Sequence, residues 1–324
     1  MRKLLILTLG VSILLAGCGR LNPAPTATVT ETATSLPPTE TATITRTPTI
    51  TPTFTASPTP TPTWVAQGPG DVQVPILMYH HIAVSPIGSR YYVPPTLFED
   101  ELKLLHNWGY TTITTTMLVD AITKGASLPP RPIILTFDDS NEDNYTNAFP
   151  IMKKYGFTGV LYVVVDYINT PNYLTTDQIK EMAAAGWEVG SHSETHSDLL
   201  TSDSVRFEVV QSKLDLEKML GVPILTFAYP FGDPGNSAVS YIHFAKYIAA
   251  MGATGFTADQ GKGNLFLLQR CEIKGWDTVK SITRFLPWHG DPSFLPTDTP
   301  TPTPTASRTP IPTYTQYPTS TTRP

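Results

Sequence analysis

Short apolar runs alternate with amphipathic segments along the middle of the chain. Strands that are covered on both faces read as continuous apolar runs, so these runs predict buried parallel strands. The predicted strands are residues 74–79, 111–113, 133–137, 159–165, 187–190, 224–229, 255–257 and 268–273.

The segments between these strands carry apolar residues at helical spacing, and several have recognisable ends. Thr96 and Glu99 form a capping-box pattern at the start of one helix. Strands that alternate with helices indicate an α/β fold, and eight predicted strands favour a distorted (β/α) barrel of seven to eight strands. An open doubly wound sheet is the alternative. Further helices are predicted over residues 181–185, 204–220 and 238–251, each followed by a glycine.

Two segments differ from the rest in composition. Residues 21–63 contain 17 threonines and 9 prolines, and residues 291–324 contain another 9 of the 32 prolines. Such segments bury too little apolar surface to offset the entropy of ordering the backbone, so disorder is predicted for them. The predicted organisation is a signal peptide over residues 1–18, a Thr/Pro-rich linker over 19–70, one folded domain over 71–290 and a Thr/Pro-rich disordered tail over 291–324.

The first residues have the pattern of an export signal. Arg2 and Lys3 precede an apolar run over residues 4–15, which is too short to cross a hydrocarbon core of about 30 Å. The run ends in LAGC, residues 15–18, which resembles a bacterial lipobox and implies lipidation of Cys18. The protein is therefore expected to be extracytoplasmic, anchored to a membrane by lipid and extending towards the cell wall. An ordinary secretory signal with an incidental cysteine is the alternative.

Composition excludes some classes of function. The formal net charge is −5 and only 15% of residues are charged, so the chain lacks the basic surface that binds phosphate backbones, and no nucleic acid partner is expected. No Gly-rich loop follows the first predicted strand, which argues against dinucleotide binding. No protein partner can be inferred from the sequence.

Polar residues that can carry chemistry cluster where predicted strands end. In a (β/α) barrel the carboxyl ends of the strands face the active site, so these side chains are expected to meet. They are His80 and His81, Asp138 and Asp139, His192 and His196, and Tyr229 to Phe231.

One carboxylate and two imidazoles form a candidate metal site. His192 and His196 are four residues apart, which on a helical turn places both on one face. With Asp139 they give two histidines and one carboxylate, a set that leaves positions open for water in hydrolytic zinc sites. An alternative for Asp139 is a helix cap, and HxxxH alone is also found in surface histidines.

Three segments resemble the first three motifs of the polysaccharide deacetylases, the NodB homology group or carbohydrate esterase family 4. They are LTFDD at 135–139, SHSETH at 191–196 and FAYPFG at 227–232. The resemblance spans residues 74–290. It implies a polysaccharide substrate and a divalent metal, zinc first, with cobalt, nickel or manganese as alternatives.

The resemblance also implies a role for each matching residue. Asp138 is the general base, while Asp139, His192 and His196 bind the metal that activates the water. The backbone N–H of Phe231 stabilises the oxyanion, and Tyr229 belongs to the same substrate motif.

The general acid is assigned by a second resemblance. Many members carry it on a late histidine, but the only late candidate, His289, has a different spacing. The opening segment ILMYH at 76–80 instead resembles the circularly permuted, exopolysaccharide-deacetylase-like branch, in which the early histidine supplies the acid. His80 is therefore the predicted acid, and His81 is predicted to be structural.

The sequence departs from the family pattern at three positions. Ser140 replaces the usual glycine, which is tolerable if that position does not need a positive φ. Ala228 replaces an arginine that often pairs with the base, so Arg270 becomes a candidate for tuning the pKa of Asp138. Phe231 replaces a common tyrosine.

These observations predict a metal-dependent hydrolase that removes N-acetyl groups from an extracytoplasmic amino-sugar polysaccharide, either peptidoglycan or an exopolysaccharide. One alternative is an O-acetyl esterase that acts on acetylated xylan-type glycans. A second alternative is a non-catalytic wall-binding lipoprotein. The presence of Asp138 beside Asp139 argues against it, because sugar binding needs no base next to a metal ligand.

Overall fold

The structure, a computed structural model of the chain, describes residues 63–253, 255 and 257–295. The predicted signal peptide with Cys18, most of the linker and most of the tail lie outside these residues. Within the described ranges, no helix is both long enough and apolar enough to cross a membrane.

A curled parallel sheet of seven strands forms the centre of the fold, in the order β10-β9-β8-β7-β6-β3-β12. Strand β4 pairs with the start of β6, and two antiparallel pairs, β1 with β5 and β2 with β11, lie outside this sheet. The strands are β1 Val65–Gln67, β2 Val72–Gln73, β3 Ile76–Tyr79, β4 Thr111–Thr112, β5 Ala126–Leu128, β6 Pro132–Phe137, β7 Val160–Val163, β8 Glu188–Ser191, β9 Thr226–Ala228, β10 Ala249–Met251, β11 Asp259–Gln260 and β12 Cys271–Glu272.

The segment that leads into β12 touches both edges of the curled sheet. Leu268 forms a parallel bridge with Met251 at the β10 edge, and its N–H donates to the carbonyl of Ala250 at 2.9 Å. Three residues later, β12 pairs in parallel with β3 at the opposite edge, where Glu272 lies beside Met78. This curled parallel sheet confirms the predicted distorted (β/α) barrel.

Helices connect most of the strands of the central sheet. Helix α4 begins with a capping box in which the Thr175 hydroxyl accepts from the Gln178 N–H and the Gln178 side chain accepts from the Thr175 N–H. Helix α1 begins after Pro94 without a side-chain cap, so the predicted capping box of Thr96 and Glu99 does not form. The helices are α1 Pro95–Asn107, α2 Thr115–Lys124, α3 Phe149–Lys154, α4 Thr176–Ala184, α5 Ser212–Leu220, α6 Gly235–Phe244 and α7 Val279–Ile282.

The two faces of the central strands pack against different partners. On β3, Ile76 belongs to an apolar cluster that also contains Ile134 and residues of α2. Its neighbour Leu77 belongs to the cluster that holds Leu135 and the apolar faces of the remaining helices. Alternation along the strand produces this division, and it explains why the strands read as unbroken apolar runs.

Three predicted elements differ from the observed ones. The helix predicted over residues 238–251 ends at Phe244, and its last three positions form β10. Lys246 has a φ of 60°, which reverses the chain after the helix, and the helix-favouring alanines of β10 are held by sheet pairing. No strand forms at residue 255 or 257, and β1 lies within the segment predicted as linker.

A buried carboxyl group in α1 couples the fold to pH. The Tyr79 hydroxyl donates to Oε2 of Glu101 at 3.0 Å, while Oε1 has no hydrogen-bond partner among the described residues. Burial raises the pKa of Glu101 to about 8 from 4.5. Between these two values the folded state keeps a proton that the unfolded state releases, so the free energy of unfolding falls as pH rises.

We expect Glu101→Gln to remove this pH dependence. The stability of the variant relative to wild type should rise by up to about 1.4 kcal/mol per pH unit across the window between the two pKa values. Urea unfolding at several pH values within this window measures the difference. Glu99→Gln is the control, because Glu99 is half-buried on the same helix and its pKa is lowered, so the difference in stability between this variant and wild type should stay constant. A constant difference for Glu101→Gln would contradict the prediction.

Candidate metal centre and active site

The loops that follow β6, β8 and β9 share an unusual backbone conformation. Positive φ is uncommon outside glycine, and such residues cluster at functional sites. The residues with positive φ in these loops are Asp139 at 72°, Ser140 at 63°, Ser193 at 72°, His196 at 64° and Phe231 at 60°.

Ser140 adopts the conformation for which the family pattern has a glycine. Its φ of 63° shows that this position does require the left-handed region, contrary to the condition set in the sequence analysis. Two hydrogen bonds hold it there: its hydroxyl accepts from the Val164 N–H at 2.9 Å, and its carbonyl accepts from the Leu174 N–H at 2.8 Å. These bonds offset part of the strain of a residue with a Cβ.

Asp139, His192 and His196 come together with the spacing of a metal site. Oδ1 of Asp139 lies 3.2 Å from Nε2 of His196 and 3.4 Å from Nε2 of His192. Tetrahedral zinc with bonds of 2.0–2.1 Å places its ligand atoms about 3.3 Å apart. Oδ1 of Asp139 is buried and has no hydrogen-bond partner among the described residues. The three side chains therefore fit a divalent cation.

The tautomer of His192 suits this arrangement. Nδ1 of His192 lies 2.7 Å from the carbonyl oxygen of Ala228, and because a carbonyl only accepts, Nδ1 carries the proton. Nε2 is then free to act as a ligand. The spacing predicted that the two histidines lie on a helical turn, and this prediction is wrong. They lie in an irregular loop after β8, where the positive φ of Ser193 and of His196 brings the rings 4.9 Å apart.

Asp138 forms a bidentate ion pair with Arg270. Nη1 and Nη2 of the arginine lie 2.7 Å and 2.8 Å from the two carboxylate oxygens, and both residues are buried. Burial alone would raise the pKa of Asp138, but the charge and hydrogen bonds of Arg270, with the charge of His192, lower it below its usual value. Asp138 is therefore a carboxylate that can accept a proton.

The ring of His80 lines the same cavity. It packs against Tyr91, with the ring centroids 4.7 Å apart, and its buried Nδ1 has no hydrogen-bond partner among the described residues. Burial lowers the pKa of His80, although the charges of Asp138 and Asp139 act in the opposite direction.

Two other histidines, His81 and His289, lie in different environments. Nδ1 of His81 lies 2.7 Å from Oδ2 of Asp143, and its ring stacks on Tyr92 at 3.9 Å. His289 is not among the residues that line the cavity; it packs beside Trp108, and its Nε2 lies 3.2 Å from the carbonyl oxygen of Thr283.

Phe231 and Tyr229 line the cavity beside the histidines. The Phe231 ring is 69% exposed and meets the His196 ring edge to face at 4.9 Å. The Tyr229 side chain is buried, and its hydroxyl donates to the carbonyl of Phe266 at 3.0 Å.

The cavity has a volume of about 430 Å³ and includes residues that the sequence analysis did not single out. Glu272 lines it, and one of its oxygens lies 3.3 Å from Nε of Arg90. Since alternate residues of an extended segment share a face, the position of Glu272 two residues after Arg270 was the available signal. The other missed lining residues are Met78, Arg90, Gly232 and Ala253.

Comparisons with known proteins identify the family of the chain. A family model for polysaccharide deacetylases matches residues 125–250. The crystal structure of BC0361, a polysaccharide deacetylase from Bacillus cereus, is 30% identical with a TM-score of 0.60, and the match covers 66% of this chain and 69% of that one. The chain belongs to the polysaccharide deacetylase family.

Two other relatives match different fractions of this polysaccharide deacetylase. The Streptococcus pyogenes deacetylase PplD, solved in complex with acetate, is 27% identical with a TM-score of 0.62 over 70% of this chain and 99% of that chain. Poly-beta-1,6-N-acetyl-D-glucosamine N-deacetylase of Staphylococcus aureus (strain MRSA252) is 27% identical over 160 residues, which are 44% of this chain and 55% of that protein. The chain thus spans about half the length of this staphylococcal relative.

In this polysaccharide deacetylase the arginine beside Asp138 comes from the end of the barrel. Ala228 occupies the third-motif position at which many members have arginine, and its carbonyl instead holds His192. Arg270 reaches Asp138 from the segment that precedes β12, and its Nε donates to the carbonyl of Gly252 at 2.7 Å. The positive charge beside Asp138 therefore comes from a residue that is distant in the sequence.

Substitution of the two adjacent aspartates should separate metal binding from the ion pair. We expect Asp139→Ala to weaken zinc binding by at least about tenfold, because it removes one of three ligands, whereas Asp138→Asn should bind zinc as wild type does. Metal content after dialysis against graded zinc concentrations measures this. Wild-type affinity in Asp139→Ala would contradict the assigned site.

Proposed function

We propose that this protein is a metal-dependent hydrolase that removes N-acetyl groups from an extracytoplasmic amino-sugar polysaccharide. The observation that carries the proposal is the pairing, in one cavity, of a buried carboxylate held by Arg270 with a carboxylate and two imidazoles at metal-ligand spacing. A non-catalytic sugar-binding protein has no need for the buried Asp138.

Asp139, His192 and His196 would hold the ion, and the nitrogen and oxygen donors suit zinc first. Such an ion, when bound, lowers the pKa of a water ligand and withdraws charge from a carbonyl oxygen. The hydrogen bond from His192 to the Ala228 carbonyl keeps Nε2 directed at the site.

Asp138 acts as the general base. Arg270 keeps its carboxyl group ionised, so it can accept the proton of the water that attacks the acetyl carbon. Arg270 also fixes the direction of both carboxylate oxygens through its two parallel hydrogen bonds.

His80 acts as the general acid. As the carbon–nitrogen bond breaks, the protonated ring donates its proton to the leaving nitrogen, which departs as the free amine of the sugar. Because burial lowers the pKa of His80, the protonated ring is a stronger acid, although a smaller fraction of the protein carries that proton at neutral pH.

The backbone N–H of Phe231 stabilises the negative charge that develops on the carbonyl oxygen. The positive φ of Phe231 occurs in the turn after β9, and this turn places Phe231 in the cavity wall with His196. Tyr229 forms the neighbouring wall, and its hydroxyl bond to Phe266 keeps the ring in place.

The substrate class rests on the relatives and on the amino-terminal sequence. The staphylococcal relative is named for the removal of N-acetyl groups from a glucosamine polymer, which supports an amino-sugar polymer as substrate here. The lipobox that ends at Cys18 supports attachment to a bacterial membrane by lipid, with peptidoglycan or an exopolysaccharide as the polymer within reach.

A panel of acetylated glycans tests the reaction. The full-length protein should release acetate from N-acetylglucosamine oligomers, lose this activity on treatment with a chelator and regain it with zinc. Acetate release is measured on N-acetylglucosamine oligomers and on acetylated xylan in parallel. Faster release from xylan would favour the O-acetyl esterase, and full activity of the metal-free protein would reject the proposal.

The acid is tested by two histidine substitutions. His80→Ala should lower kcat for N-acetylglucosamine oligomers by about 10² to 10⁴ if the ring donates the proton. His289→Ala is the control, since that ring packs against Trp108, and its kcat should equal that of wild type. The assignment is wrong if the two variants exchange these results.

A further inference from the structure

The loop that follows Asp138 and Asp139 forms hydrogen bonds to the backbone of His80. Nδ2 of Asn144 donates to the His80 carbonyl at 2.8 Å, and Nδ2 of Asn141 lies 3.3 Å from the same oxygen. Nδ2 of Asn141 also lies 3.4 Å from the carbonyl oxygen of Asp138. Both asparagines are buried, and the Asn141 amide therefore bridges the backbones of the proposed acid and the proposed base.

The same loop holds the two residues that follow His80. Asp143 contacts Nδ1 of His81 through Oδ2 at 2.7 Å, and its Oδ1 accepts from the Ile82 N–H at 2.8 Å. Asn147 donates from Nδ2 to the Ile82 carbonyl at 2.8 Å. The end of β3 is thus attached to this loop through polar side chains at four positions.

The loop has a backbone that is unusual for a simple connection. Asn144–Ala148 forms a π-helical turn before α3 begins. Such turns are rare in proteins, and those that occur often lie at functional sites. Oδ1 of Asn144 is buried with no hydrogen-bond partner among the described residues, so the contacts of this amide are made by its donor group.

The ring of His80 has few other constraints. No described residue hydrogen-bonds to its Nδ1, and its aromatic contact is the Tyr91 ring. The carbonyl of Tyr91 accepts from the His81 N–H at 3.0 Å, which holds the backbone of the residue after His80. The position of the ring therefore depends on how its own backbone is held.

We propose that Asn144, assisted by Asn141, is a positioning residue for proton transfer by His80. This inference rests on the proposed function, in which His80 is the acid. Together with the main-chain bond from the Asp138 N–H to the Tyr79 carbonyl at 3.0 Å, the two amides fix the backbone of His80 relative to that of Asp138, so that the protonated ring lies within reach of the leaving nitrogen. A displacement of about 1 Å in such a group can lower a rate by about 10².

The chemistry of the leaving group separates positioning from a general structural effect. An amine leaves from an amide only when its nitrogen receives a proton, as the carbon–nitrogen bond breaks. The nitrophenolate of p-nitrophenyl acetate leaves as a stable anion, so its hydrolysis needs the water, the base and the metal ligands but no acid. Loss of positioning at His80 should therefore affect the amide alone.

The experiment compares Asn144→Ala with Asn147→Ala in the full-length protein. Asn147 lies in the same π-helical turn and donates a similar bond, but to the carbonyl of Ile82. Asn144→Ala should lower kcat for N-acetylglucosamine oligomers by about tenfold or more, with KM and zinc content unchanged and p-nitrophenyl acetate hydrolysis within about twofold of wild type. Asn147→Ala should leave all four quantities as in wild type.

A second variant keeps the test decisive if Asn144→Ala folds poorly. Asn144→Leu keeps most of the volume of the side chain and removes its bond to the His80 carbonyl, so it should lower the amide kcat as Asn144→Ala does while sparing the ester. Parallel loss of both activities in the folded variants, loss of zinc, or no loss at all would overturn the proposal. Wild-type protein without metal-dependent acetate release would instead reject the proposed function.

Discussion

The buried ion pair between Asp138 and Arg270 is the interaction on which the site depends. The arginine also donates to the carbonyl of Gly252, so it joins the end of β6 to the residue that follows β10. Removal of one partner from a buried pair typically costs about 3–5 kcal/mol, because the other charge stays unpaired. The same side chain therefore joins two parts of the curled sheet and keeps the Asp138 carboxyl group ionised.

The loops around this pair combine backbone strain with dense hydrogen bonding. Positive φ angles at Asp139 and His196 direct their side chains towards one point. Hydrogen bonds from neighbouring groups hold these loops: the N–H of His196 donates to Oγ of Ser193 at 2.9 Å, and Ser140 makes two bonds of its own. Strained residues persist where the surroundings over-determine them, and here the result is a preorganised set of three side chains at metal-ligand spacing.

Much of the fold could be predicted because strand and helix patterns are local. The run at residues 133–137 appears as β6 with one added residue, since a strand covered on both faces must be apolar throughout. Strand β10 was missed because its alanines favour a helix in isolation, and only pairing with β9 makes them a strand. The Thr96 cap failed because the helix begins at Pro95, one residue before it.

The sequence by itself determined the residue types of the candidate site and their positions directly after predicted strands. Adjacent aspartates, an HxxxH segment and a late arginine can all be read from the printed chain. Only the tertiary structure decided that Arg270 meets Asp138 across 132 residues, and that Asn144 holds the backbone of His80 across 64. These contacts depend on the curl of the sheet and on loop conformations that non-local hydrogen bonds hold, and neither leaves a periodic pattern in the sequence.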